Sequence, residues 1–236
     1  MNRSYIVAGV AGVLIGGSAV ALATGGLGGG TQPGRAEVER IVRAYILEHP
    51  EIIPAAIQKL QDRDMAKAVE ANRAAYETPF GSAWAGAEKG DVVLVEFFDY
   101  ACGFCRKSNA DIERLLKEDS KLKVVWRELP VLGPDSRTAA EASLAAAQAG
   151  RFREFYGKMF ALGRPGPDTI TQAARTVGVS PAPSPAFRAE IEKNYELARA
   201  VNASGTPTFV VGEKVLQGAV GYEALKEAIA AARASS

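Results

Sequence analysis

A buried strand that passes straight into a helix is a mark of α/β architecture, and residues 91–116 of this chain have that form. Asp91–Tyr100 (DVVLVEFFDY) is largely apolar, begins with β-branched residues and reads as a buried strand. After Cys102 the period changes, because Ile112, Leu115 and Leu116 are spaced for one face of a helix. Cys102-Gly103-Phe104-Cys105 stands at the junction. These are the only two cysteines in 236 residues. A chain that long can bury a core without staples, and two cysteines are too few for a disulfide scaffold.

The rest of the chain extends the same pattern. Leu122–Leu129 (LKVVWREL) is a second strand. Ser136 to about Ala203 is helical, with breaks at Gly163–Pro167 and Ser180–Pro185. Thr208–Val211 and Lys214–Gln217 are short strands around Gly212-Glu213, a hairpin signal, and Gly221–Ala232 closes the chain as an amphipathic helix. Upstream, residues 36–77 are helical. Val38, Ile41, Val42, Tyr45 and Ile46 form one stripe, His49-Pro50 stops that helix, and Pro54 suits the first turn of the next. Two short amphipathic helices cannot bury their stripes on each other, so residues 35–79 need the main body or another copy of the chain. The small-residue stretch Phe80–Gly90 reads as a boundary. Trp84, Trp126, Met65 and Met159 are assigned to the core.

The first 34 residues differ in kind. Met1-Asn2-Arg3 is a short basic start, and Tyr5–Ala23 is an uncharged, largely apolar run. Ala21-Leu22-Ala23 has the small-x-small form of a signal-peptidase site, so residues 5–23 are an export signal, either cleaved or kept as an anchor. Residues 24–34 are a Gly-rich tether. Arg3 is the one basic residue in this segment, and no acidic residue precedes residue 35, so 27 of each sign remain in the body. A neutral body without a basic block argues against nucleic acid as a partner.

The junction carries chemistry. The first turn of a helix offers unpaired N–H groups and a partial positive charge, which lower the pKa of a thiol at Cys102 below the usual ~8.5. Only the thiolate attacks a disulfide. Cys105, one turn further in, is shielded and suited to resolve a mixed disulfide. Rival readings are a zinc site, a structural disulfide and a pair of core cysteines. Zinc would need two further ligands, and the only histidine, His49, lies in another segment. That residue suits a contact at the C-terminal end of its helix instead. Glu96 shares a strand face with Leu94 and Phe98. A buried acid there has a raised pKa and can exchange a proton with Cys105; the alternative is an edge strand with Glu96 toward solvent. Thr206-Pro207 opens the later hairpin, where a proline is tolerated.

Glu96 to Cys105 (EFFDYACGFC), the helical stretch and Gly205-Thr206-Pro207-Thr208-Phe209, in that order, resemble the DsbA-like thiol–disulfide oxidoreductases. The resemblance implies a thioredoxin fold over residues 80–236, with a helical domain inserted at about 135–203. It implies Cys102 as nucleophile, Cys105 as resolving thiol, Glu96 as buried acid, Pro207 as a cis-proline, and Thr206 presenting backbone to a bound peptide, with Phe104 also placed at the substrate. Val38–Glu51 is similar to the leader region of the Com1 and suppressor-of-copper-sensitivity branch, which implies a homo-oligomer through residues 35–79.

What the resemblance implies about function is an exported, periplasmic enzyme without a cofactor or metal, acting on unfolded or misoxidised proteins and exchanging electrons with a membrane redox partner. The strongly oxidising members have Pro-His between their cysteines, where this chain has Gly103-Phe104. Phe104 offers neither charge nor hydrogen bond, so Cys102 is expected to be less acidic than the extreme of ~3.5. The potential is then expected to lie below ~ −120 mV, toward ~ −270 mV. An isomerase or reductase is favoured. The alternatives are a dithiol oxidase of the DsbA type and a Cu(I)-handling protein.

Overall fold

A computed structural model describes residues 34–180 and 182–235. The leader or anchor expected at residues 5–23 lies outside the described residues. Among the described residues, no helix is long and apolar enough to cross a membrane. The described residues divide into two compact units, with the boundary between Ala55 and Ala56.

In the first unit, α1 (Arg35–Glu48) ends at His49, whose backbone N–H closes on the Tyr45 carbonyl. The imidazole lies against the Tyr45 ring, with centroids 4.6 Å apart. No residue of α1 is buried. Val38, Ile41, Val42 and Tyr45 form an exposed apolar stripe, and Leu47 on the opposite face of α1 and Ile52 and Ile53 at the start of α2 (Ile52–Ala71) are exposed as well.

The second unit is built on a five-stranded sheet of order β1-β3-β2-β4-β5, comprising β1 (Trp84–Gly86), β2 (Val92–Phe98), β3 (Leu122–Glu128), β4 (Thr208–Val211) and β5 (Lys214–Gln217). β2 and β3 are parallel, which requires the crossover helix α4 (Gly103–Glu118) between them. The other pairings are antiparallel. β2 is the central strand, so the edge-strand alternative for Glu96 does not hold. Alternation along β2 sends Leu94 and Phe98 into one core with Ile112, Met159, Leu225 and Ile229. Val95 and Phe97 face the other core, with Val69, Tyr76, Leu197 and Val201. The latter four come from α2, α3 (Arg73–Glu77), and the end of α8 (Pro185–Ala200) with the residue after it.

The inserted helices are α5 (Pro134–Gln148), α6 (Phe152–Leu162), α7 (Pro167–Thr176) and α8, and α9 (Tyr222–Ala234) closes the chain. The structure shows the fold expected from sequence: thioredoxin-like, with a helical insertion and preceding helices. The stretch Phe80–Gly90 contains strand β1 rather than only a boundary. Three residues carry no alternation to read, and β1 exists because β3 offers it a free edge. Trp126 is buried as expected. Trp84, on the edge strand, is only partly buried, with the Lys123 ammonium 5.3 Å from its ring.

Candidate active site

The end of β2 delivers the two cysteines. Asp99 is buried and shapes the loop that follows: its Oδ1 accepts from Ala101 N–H at 2.8 Å, and its Oδ2 accepts from Val131 and Leu132 N–H at 2.9 Å each. One carboxylate thus ties the cysteine loop to the loop after β3. Cys102 is the N-cap of α4, its sulfur accepting from Cys105 N–H at 3.4 Å, and its thiol donates to the Thr206 carbonyl at 3.1 Å. Both sulfurs are reduced and buried, Cys105 completely and Cys102 at 6% exposure. Phe104 between them stands 65% exposed.

These contacts set two unequal thiols. The Cys105 thiol donating to its sulfur, with the Thr206 side chain and the N–H groups of Cys105 and Phe104, pulls Cys102 down to about 5 against the effect of burial. Burial, then the bond to Cys102 and the charge of Glu96, push Cys105 far up. At neutral pH one sulfur is a thiolate and the other holds its proton.

Glu96 is fully buried beneath them. Burial pushes its carboxyl up to about 8, against the pull of Tyr156 and Trp126. The Tyr156 hydroxyl lies 3.3 Å from Glu96 Oε2, while Oε1 has no hydrogen-bond partner among the described residues. The indole N–H of Trp126, which faces Glu96 in the β2–β3 register, pulls on the carboxyl without closing a hydrogen bond of ordinary length. The Thr206–Pro207 peptide bond is cis, Pro207 is buried, and the Pro207 carbonyl accepts from Gly218 N–H at 2.8 Å.

Cys102, Cys105, Glu96, Thr206 and Phe104 therefore gather at one end of the sheet, with Pro207 next to Thr206. Asp99, Tyr156 and Asn109 belong to the same cluster and were not singled out from sequence. The one available signal was Tyr156, a hydroxyl-bearing ring in the apolar stripe of Phe152, Phe155, Met159 and Phe160, since a buried tyrosine hydroxyl seeks a partner. His49 lies in the other unit, and Arg106 and Lys107 are solvent-exposed.

The DSBA-like thioredoxin domain family matches residues 93–230, more than half of the chain and all of this cluster. The chain belongs to the DsbA-like thioredoxin family. The family is one of thiol–disulfide oxidoreductases, which act on protein substrates. A second match, the copper resistance protein ScsC N-terminal domain, covers residues 35–67, in agreement with the suppressor-of-copper-sensitivity branch.

A linker-deletion mutant of Proteus mirabilis ScsC is similar in structure, with a TM-score of 0.71, 25% identity and coverage of 89% of this chain and 100% of that one. A thioredoxin-like oxidoreductase from Silicibacter pomeroyi is 33% identical, with a TM-score of 0.64 over 68% of this chain and 96% of that one. Disulfide bond formation protein D of Bacillus subtilis is 28% identical over 166 residues, which are 61% of this chain and 73% of that protein. The chain also matches sodium/proton antiporters such as NhaA 3 of Salinispora tropica, at 29% identity over 163 residues. It spans about a quarter (24%) of that antiporter's length.

Proposed function

We propose that the chain is an exported, periplasmic thiol–disulfide oxidoreductase that shuffles or reduces disulfides in misoxidised proteins through Cys102 and Cys105. The observation that carries this reading is the unequal thiol pair: an acidic Cys102 capping α4 beside the Thr206 carbonyl, over a buried Cys105 that keeps its proton. The Cys102 thiolate attacks a substrate disulfide, forming a mixed disulfide and releasing one substrate thiolate. Either the substrate's own thiolate then displaces Cys102, which is isomerisation, or Cys105 attacks Cys102, which is reduction. In the second course the Cys105 proton passes to the Glu96 carboxylate, and the Cys102–Cys105 disulfide forms as the substrate leaves as a thiolate. A raised pKa lets Glu96 take up and release that proton near neutrality. Phe104, Thr206 and Pro207 meet the substrate chain, and a membrane redox partner resets the dithiol.

Residues 1–34 act as leader or anchor and tether, and residues 80–236 as the redox domain with its insertion at about 135–203. Residues 35–79 hold copies of the chain together. The exposed stripe Val38, Ile41, Val42 and Tyr45 supports this assembly role, because a stripe of that kind is otherwise left in water. Several active sites around one substrate suit isomerisation, and Gly103-Phe104 suits a potential below that of the strong oxidants.

Refolding of a scrambled multi-disulfide protein tests the reading. The full chain is expected to restore activity to the substrate. A full-length I41D/Y45D chain is expected to lose that ability, dissociate, and keep its capacity to reduce a simple disulfide. Equal isomerisation by both chains would end the assembly argument. A Cys102→Ala chain that isomerised normally would end the catalytic one, and tight Cu(I) binding with no isomerisation would favour metal handling.

A further inference from the structure

Tyr156, carried by α6 of the helical insertion, sits between two acceptors. Its hydroxyl is 3.3 Å from Glu96 Oε2 and 2.6 Å from Asn109 Oδ1. A phenol has one proton to donate, so it cannot serve both oxygens at once. Which one it serves depends on Glu96. A protonated Glu96 can donate its own O–H to the phenol oxygen, which frees the Tyr156 proton for Asn109. An ionised Glu96 needs the Tyr156 proton for itself, and the Asn109 oxygen must then give it up. The two ends of this chain also differ in access: Glu96 is sealed from solvent, whereas Asn109 on α4 is partly exposed.

We propose that the Tyr156 hydroxyl, seated on Asn109, is a two-position switch that follows the protonation of Glu96 and carries its proton between the buried acid and the surface of α4. Tyr156 is a positioning residue, and the inference rests on Glu96 serving as the acid for Cys105. In the outward step the Glu96 proton moves to the phenol oxygen as the phenol's own proton passes to a water at Asn109. The carboxylate is regenerated, Tyr156 is unchanged, and nothing is oxidised. The charged and titratable groups around Glu96 are Cys102 at the cap of α4, Cys105 from α4, Arg153 and Tyr156 from α6, and Tyr100 from the loop after β2. From β3 it meets the Trp126 indole, and from β4 its register partner is the apolar Phe209.

The test is a stopped-flow reaction of the reduced full chain with a chromogenic aromatic disulfide across pH. The first thiol released reports Cys102 attack, and the second reports resolution by Cys105. The second phase is expected to show a pH midpoint that Glu96→Gln removes. Tyr156→Phe removes a donor to the ionised acid and is expected to raise that midpoint by about one pH unit. Asn109→Leu removes the competing acceptor, so it is expected to shift the midpoint in the opposite direction. Loosened packing would slow both phases without producing shifts of opposite sign.

If Glu96→Gln removes the midpoint while the Tyr156 and Asn109 variants leave it in place, the switch is overturned and the role of Glu96 stands. A midpoint that survives Glu96→Gln overturns the role of Glu96, and the switch with it. Should Tyr156→Phe fail to fold, the direction of the shift in Asn109→Leu decides alone, with an upward or absent shift counting against the switch.

Discussion

Arg127 on β3 and Glu96 on β2 stand close together in one sheet, both sealed from solvent and on opposite faces. All five N–H donors of Arg127 find acceptors. Nε reaches the Tyr76 carbonyl at 3.0 Å, and Nη1 reaches Glu190 at 3.0 Å and Asn194 at 2.9 Å. Nη2 reaches the carbonyls of Thr78, at 2.6 Å, and Ala75. Glu96, by contrast, has one oxygen shared with a distant hydroxyl and the other unpartnered among the described residues. The first arrangement fixes a charge permanently and pins α3 and α8 to the sheet. The second leaves the group free to change charge, as the proposed proton exchange requires. A fully satisfied Glu96 would be locked as a carboxylate and unable to serve the exchange proposed with Cys105.

The largest effect this contrast predicts is on the satisfied side. Arg127→Met leaves Glu190, Asn194 and three carbonyls without their donor, and breaking a buried pair in this way costs about 3–5 kcal/mol. Urea unfolding is expected to show that loss, while the folded fraction keeps its Cys102 reactivity. A loss below about 1 kcal/mol would mean that the network contributes little, and the contrast with Glu96 would fail.

Sequence shows the Glu96 side far better than the Arg127 side, and the reason is physical. Glu96, Cys102 and Cys105 lie within ten residues, so strand alternation and the position of a helix start are enough to bring them together. Thr206-Pro207 is legible because proline has few places in a sheet. Arg127 reads only as a residue of a strand, since its acceptors lie on α3, in the segment after it and on α8. Asp99 is hidden in the same way, because the N–H groups it satisfies at Val131 and Leu132 become its neighbours only once β3 lies beside β2. Tyr156 comes from an insertion whose packing no local pattern dictates. The exposed stripe on α1 is visible in sequence as amphipathicity, but its exposure is visible only in the structure.

A smaller effect concerns stability against pH. Glu96 is raised to about 8 in the folded chain, against the ordinary carboxylate range near 4 when unfolded. The folded state therefore holds a proton that the unfolded chain has already lost. This contribution to stability is fully present below pH ~4 and is lost as pH rises through about 8. Glu128, also buried and pushed up to about 7 by that burial, adds to the decline over a narrower window. Glu96→Gln is expected to flatten the fall in unfolding free energy between about pH 5 and 8, because Cys102, lowered to about 5, gains stability with pH over that window and offsets the fall left by Glu128. Parallel curves for the two chains would show that Glu96 titrates normally.

The smallest effect sharpens the contrast at the thiols themselves. Cys102 is held down at about 5 first by the Cys105 thiol and only then by the backbone at the start of α4. Cys105→Ala removes the first of these and leaves the second, because the substituted residue keeps its backbone N–H. The pH midpoint for alkylation of Cys102 is expected to rise by about one unit but to stay below the ordinary ~8.5, where a thiol without a helix start would lie. Glu96→Gln tests the opposite dependence. The burial that raises Glu96 outweighs its coupling to Cys102, so the Cys102 midpoint is expected to move less in that variant than in Cys105→Ala. If Glu96→Gln moved it more, the acid would be tuning the nucleophile directly. Its unsatisfied oxygen would then have to be explained by the charge on Cys102 rather than by the proton on Cys105.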